Sequence, residues 1–195
     1  MYRVNIKELK SSIRNEYKEK RKKIPPEEKE VLDRNICKRF LSLSSYRYAD
    51  TILLFSPLKY EIDTSYIAVD AWSKGKKVAY PKCIENNEMV FRYVSSFDEL
   101  ETGSYNIKEP KSDLPLYVGG QGNTVCVLPA IVFDKKGYRL GYGKGYYDRF
   151  LSGFKGIKAG LIYSDFIVDR LPHGRYDFAS DIVVTEKGVI TFAEN

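Results

Sequence analysis

Leu128 to Phe150 reads LPAIVFDKKGYRLGYGKGYYDRF: an apolar run, a short polar turn, three alternating glycines, then two tyrosines and an acid-base pair. The run reads as a buried strand and the glycine segment as a phosphate-binding turn. Gly141, Gly143 and Gly145 remove side chains where backbone N–H groups must approach an anion closely. Arg139 and Lys144 add positive charge beside them, and Asp148 offers a hard oxygen ligand for the magnesium that accompanies nucleotide phosphates. The spacing matches neither common phosphate loop. Lys144 is followed by Gly145 where a Walker A loop needs Ser or Thr, and GxGxG replaces the GxGxxG of dinucleotide folds. A tight surface turn would explain the glycines alone. Arg139, Lys144, Tyr146, Tyr147 and Asp148 within the same short stretch favour anion binding.

The rest of the chain is consistent with one α/β domain spanning residues 1–195. Thr51 to Phe55 (TILLF) reads as a strand covered on both faces, and further strands are predicted at Lys77–Tyr80, Met89–Val94, Val125–Val132, Ile157–Tyr163 and Ile182–Val184. Helices alternate with them: one through Leu9, Ile13 and Tyr17, one from the Pro25-Pro26 pair to about Leu43, and one opened by Asp63-Thr64 through Ala71. No repeat or low-complexity segment is present, and Gly119 to Asn123 reads as a loop between elements.

Lys plus Arg outnumber Asp plus Glu by 32 to 26, a formal charge of +6, so the expected partners are anionic: a nucleotide, a polyanionic metabolite or nucleic acid. The three cysteines, Cys37, Cys83 and Cys126, form no CxxC and no even set for a disulfide framework, which fits a reducing cytoplasm. No signal-peptide core and no run of membrane-span length is seen, so a soluble cytoplasmic protein is expected.

Residues 1–23 hold nine Lys or Arg against three Asp or Glu, and Lys7, Lys10, Arg14, Lys18 and Arg21 share one helical face. A solvated face explains such a cluster without function. His173 is the only histidine and cannot by itself build a metal site or a Ser-His relay. Most of the sixteen tyrosines stand singly among apolar positions as core-edge rings, Tyr146 and Tyr147 being the exceptions.

Pro129, Phe133, Asp134, Gly137, Arg139, Leu140, Gly141, Gly143, Gly145, Tyr146, Tyr147, Asp148 and Arg149 stand in one order that resembles the 5-formyltetrahydrofolate cyclo-ligase family, also called methenyltetrahydrofolate synthetases. Further likenesses follow in the family's order: Lys10 and Arg14, FSPLKYEIDT at Phe55–Thr64, Pro81 after a strand, GSYNIKEP at Gly103–Pro110, and DFASDIVVT at Asp177–Thr185. The resemblance implies a three-layer α/β/α fold with a mostly parallel, Rossmann-like sheet. It implies ATP- and Mg2+-dependent conversion of 5-formyltetrahydrofolate to 5,10-methenyltetrahydrofolate, with small molecules as partners, no nucleic acid or membrane, and a monomer or weak homodimer.

Residue by residue, the resemblance implies catalytic roles for Arg139, Lys144 and Tyr146 and an ATP site of Lys10, Arg14 and the run from Arg139 to Tyr147, including Leu140 and Tyr142. It implies folate contacts from Arg14, Ser56, Glu61, Tyr142, Gly143, Lys144, Gly145 and Tyr146, and magnesium on Asp148 and Asp181. Glu61 suits the amino-pyrimidine edge of a pterin because a carboxylate accepts two hydrogen bonds there. Lys18 to Lys23 match nothing in the family and are expected to be solvated surface. The chain departs from many relatives at Tyr176, where they carry His before the Asp matching Asp177. Two other readings are a family member that binds nucleotide without folate turnover, and a nucleic-acid-binding module using the basic helix.

Overall fold

A computed structural model describes residues 5–85, 88–103, 106–119 and 122–192. Its first two helices are set by local chemistry. Asn5 caps α1 (Ile6–Lys22) by accepting the Lys7 amide at 3.1 Å, and Lys20, Arg21 and Lys22 crowd its negative C-terminal end. Pro26 begins α2 (Pro26–Leu41), with Glu27 and Glu28 in its first turn. This helix stops two residues short of the expected Leu43, and a single turn, α3 (Ser44–Arg47), leads into the sheet.

Seven strands form the central sheet: β1 (Thr51–Leu53), β2 (Lys77–Cys83), β3 (Met89–Val94), β6 (Thr124–Leu128), β9 (Ile157–Leu161), β11 (Ile182–Val184) and β12 (Val189–Thr191). Their order is β12-β11-β9-β6-β1-β2-β3, with β11, β9, β6, β1 and β2 parallel and the two edge strands antiparallel. All the expected strands occur, Met89–Val94 and Ile182–Val184 with the expected ends and the others with shifted ones. Val125–Val132 is not one strand: Pro129, lacking an N–H for the ladder, separates β6 from β7 (Val132–Asp134).

Period-2 alternation divides the core into two layers. Ile52, Val78, Val125 and Val127 face α2 and α4 (Ser65–Ser73), meeting Ile36, Phe40, Ile67 and Ala71. Leu53, Ala79, Cys126 and Leu128 face α5 (Tyr146–Leu151), meeting Leu151 and Phe150. Each such Leu, Ile or Phe contributes about 1.5–3 kcal/mol by leaving water. The result is the expected three-layer α/β/α arrangement around a mostly parallel sheet. No helix among the described residues is long and apolar enough to cross a membrane.

Two smaller sheets accompany it: β4 (Leu100–Thr102) with β5 (Lys108–Pro110), and β10 (Ile167–Val168) beside β7, which pairs in turn with β8 (Arg139–Leu140). Within the latter, Asp134 is 1 % exposed and organises the hairpin. Its Oδ1 accepts the amides of Lys136 and Tyr138 at 2.9 and 3.0 Å, and its Oδ2 accepts that of Leu171 at 3.0 Å. Ile13 and Tyr17 of α1 pack on Val132, Leu140 and Leu171 of this unit. The basic helix is thereby laid against the strand that feeds the glycine turn.

In the parallel core the chain moves outward from β1 to β2 and then returns to place β6 on the other side of β1. That reversal is a topological switch point, where open α/β sheets form a crevice beyond the strands' carboxyl ends. Ser56 and Glu61 follow β1 there, and Pro129 to Ile131 follow β6.

Candidate active site

The glycine turn connects β8 to α5. Gly143 and Gly145 have φ values of +93° and +73°, in the left-handed region where a Cβ is strained. A Cβ on Gly143 would also come within 3.2 Å of the Arg14 guanidinium carbon, so glycine here admits the arginine. Arg14 Nε donates to the carbonyl of Gly141 at 2.8 Å, and a Cβ on Gly141 would meet no atom within 4 Å. The turn is thus bound from one side by α1 and open at Gly141. Leu140 sends its side chain into the core with Val132 and Leu171.

Charged groups converge on this turn. Lys10 Nζ lies 2.9 Å from Asp177 Oδ2, which also accepts the Gly174 amide at 2.8 Å. Burial disfavours the Asp177 charge, but the Gly174 amide, Lys10 and Arg139 together hold its pKa below the usual carboxylate range. Burial lowers the pKa of the Arg14 guanidinium, and nearby Asp177 opposes that shift. Arg139 donates through Nη2 to Asp148 Oδ1 at 2.7 Å and through Nη1 to the Phe178 carbonyl at 3.0 Å. Lys144 is exposed, and its carbonyl accepts Arg149 Nη2 at 2.8 Å.

The crevice after β1 supplies a different chemistry. Glu61 is 5 % exposed; its Oε2 accepts the Leu58 amide at 2.8 Å, while Oε1 is buried without a hydrogen bond. Burial raises the Glu61 pKa, opposed by the Leu58 amide, Tyr142, Arg21 and Lys29. Tyr142, of the glycine turn, is 41 % exposed with its hydroxyl toward Glu61, and burial of that hydroxyl and the nearby Glu61 charge raise its pKa. Ser56 Oγ and Tyr147 Oη are likewise buried without partners. Unsatisfied buried polar atoms are costly, and three in one region fit a polar ligand. Tyr147 lies edge-on to Phe91 at 6.5 Å, with its hydroxyl inside, beneath the turn. Tyr146 lies against the Cys83 thiol of β2.

One expectation changes. Lys18 to Lys23 are not all solvated: Arg21 is 6 % exposed and donates to the carbonyls of Ala130 and Ile131 at 2.9 and 3.0 Å. Asp181 is held by Lys158, whose amide and Nζ approach its carboxylate at 2.7 and 2.9 Å. The acid brought to Lys10, Arg14 and Arg139 is Asp177, which the sequence offered only as part of a longer likeness. His173 stacks on Tyr138 at 3.6 Å. Among the described residues no three His, Cys, Asp or Glu gather to form a metal cage. A concavity of about 910 Å3 lies at the other end of the strands, by the starts of β6 and β9.

The chain is similar to known proteins over most of its length. The profile of the 5-formyltetrahydrofolate cyclo-ligase family matches residues 6–186. A 5-formyltetrahydrofolate cyclo-ligase of Escherichia coli is 27 % identical over 177 residues, covering 88 % of this chain and 97 % of its own. The mouse protein of the same name is 28 % identical over 200 residues, with coverage of 95 % and 98 %. The solved structure of Aquifex aeolicus 5,10-methenyltetrahydrofolate synthetase superimposes with a TM-score of 0.85 at 33 % identity, covering 96 % of this chain and 94 % of its own.

Proposed function

The chain belongs to the 5-formyltetrahydrofolate cyclo-ligase family, and from that premise we propose that it converts 5-formyltetrahydrofolate and ATP to 5,10-methenyltetrahydrofolate, ADP and inorganic phosphate. The observation that carries the reading is one turn that meets a cationic cluster on one side and, through Tyr142, a buried acid with a free oxygen on the other. A triphosphate fits the first and an amino-pyrimidine edge fits the second.

The formyl group resists attack because its nitrogen lone pair is delocalised and its oxygen leaves poorly. In the proposed sequence the formyl oxygen attacks the γ-phosphorus of ATP, ADP departs, and an iminium phosphate results. N10 of the same molecule then adds to the activated carbon, loses its proton, and the C–O bond breaks to release inorganic phosphate. No protein nucleophile is needed. Phosphoryl transfer depends on charge neutralisation and alignment. The glycine amides, Lys10, Arg14 and Lys144 supply positive charge. Arg139 positions Asp148, and Tyr146 with Tyr142 borders the folate. Glu61 with Ser56 holds the pterin so that N10 stays near the carbon, which makes ring closure intramolecular. Magnesium, for which Asp148, Asp181 and Asp177 are the candidate carboxylates, would offset negative charge on the phosphates.

Three residues of the basic face of α1, Lys10, Arg14 and Arg21, bond to this protein's own groups, which favours a small-molecule site over a nucleic-acid surface. Substrate labelled with 18O in the formyl group tests the sequence. Methenyl product with one 18O in the released phosphate is expected; unlabelled phosphate would overturn transfer to the formyl oxygen.

A further inference from the structure

Tyr147 is the second residue of α5, and its hydroxyl is buried without a hydrogen-bond partner among the described residues. The ring packs against both layers of the core, which the sheet separates, so it reaches past the strand ends. Phe91 shows which end. Its ring is 6.5 Å from that of Tyr147, and it pairs with Pro81 near the carboxyl end of β2. Ser56 and Glu61 follow β1 at this same end, and each also keeps a buried oxygen without a partner among the described residues.

An unmet buried hydroxyl destabilises the free protein, so a ligand that meets it gains what the fold forgoes. The surroundings set the kind of ligand. Burial holds the Tyr147 pKa well above its ordinary value, so the proton stays on the oxygen to be donated. The walls are Phe91 and apolar residues of both layers, where a triphosphate would lose its hydration but a flat, neutral ring is accommodated. Lys10 and Arg14, the cations that suit phosphate, approach the glycine turn from α1 instead.

We propose that Tyr147 is a folate-binding residue and not part of the nucleotide site, its hydroxyl donating to the ring carbonyl oxygen of the pterin. The proposal rests on the folate reading of this crevice. Glu61, as a carboxylate, only accepts hydrogen bonds, so it suits the N–H donors of the amino-pyrimidine edge and leaves the carbonyl beside them unmet. A protonated phenol supplies the missing donor. The free protein carries the orphaned hydroxyl, and the complex satisfies it.

The test compares Y147F and E61Q with the parent full-length protein by calorimetric titration, first with 5-formyltetrahydrofolate alone and then with the β,γ-imido analogue of ATP and magnesium. Y147F deletes only the orphaned oxygen, so its denaturant midpoint should match or exceed that of the parent. Its Kd for 5-formyltetrahydrofolate should rise about tenfold, while that for the ATP analogue stays within about twofold. In protein carrying 13Cζ-labelled tyrosine, the signal that Y147F lacks should shift when 5-formyltetrahydrofolate is added to the parent, which a purely structural phenol would not do. An unchanged folate Kd, or a larger loss for the ATP analogue, overturns the proposal. A Y147F protein that unfolds early or never folds overturns it too, because the hydroxyl would then have a partner inside the fold. A parent that binds no 5-formyltetrahydrofolate would refute the folate reading of the crevice itself, whereas equal folate binding by parent and Y147F, with loss in E61Q, would refute Tyr147 alone.

Discussion

Arg139, with a side chain 4 % exposed, holds Asp148 at 2.7 Å, so the acid proposed for magnesium is aimed from inside the fold by the first residue of β8. Asp148 and Arg139 therefore act as a unit. Asp148→Asn keeps an oxygen for the guanidinium and should retain the fold while lowering turnover about 100-fold. Asp148→Ala also leaves Arg139 short of a buried partner and should lose about 2 kcal/mol in denaturant unfolding. Equal stability of the two variants would contradict the structural half of this role, and full activity of either the catalytic half.

Glu61→Gln should raise the KM for 5-formyltetrahydrofolate about tenfold or more and change ATP affinity by less than about twofold. In the parent enzyme the charge of Glu61 is opposed first by burial, which sets its pKa above the ordinary value. Folate kcat/KM should therefore fall as pH drops through that raised pKa, and the Gln variant should lack this acid limb. Steady-state kinetics over a pH series read both effects, and an unchanged limb in Glu61→Gln would contradict the assignment.

Gly143→Ala places a Cβ at a φ of +93° and 3.2 Å from the Arg14 guanidinium carbon. Backbone strain should cost about 1 kcal/mol, and displacement of Arg14 from the Gly141 carbonyl should lower kcat/KM for ATP about tenfold. Thermal melts with ATP kinetics check this, and a loss of stability alone would mean that Arg14 does not depend on the turn.

Lys10 and Asp177 form a partly exposed pair at 2.9 Å, worth less than about 1 kcal/mol. The folded pKa of Asp177 is lowered, so its stabilisation is present above the unfolded carboxylate value and is lost as pH falls through the folded one. Asp177→Asn should melt below the parent near neutral pH, with the gap closing on acidification. A constant gap would assign the loss to the Gly174 amide bond instead.

The strands and the glycine turn were legible because period-2 apolar runs and left-handed glycines are local signals. Pro129 splitting one apolar run into β6 and β7 was a local signal that the run's hydrophobicity obscured. Arg21 was misjudged for another reason: its helical register with Lys10 and Arg14 was visible, but its burial is set by Ala130 and Ile131, more than a hundred residues away. Asp177 and Asp181 differ only in what the fold places beside them, Lys10 for the first and Lys158 for the second. Composition and spacing cannot separate two aspartates four positions apart.

The most direct measurement follows the near-ultraviolet absorbance of the methenyl bridge with purified protein, 5-formyltetrahydrofolate, ATP and magnesium, leaving out each component in turn. Absorbance that grows only when all are present, and ADP formed in equal amount, is the predicted result. ATP binding without any growth of that absorbance would contradict folate cyclisation and leave a nucleotide-binding member of the family.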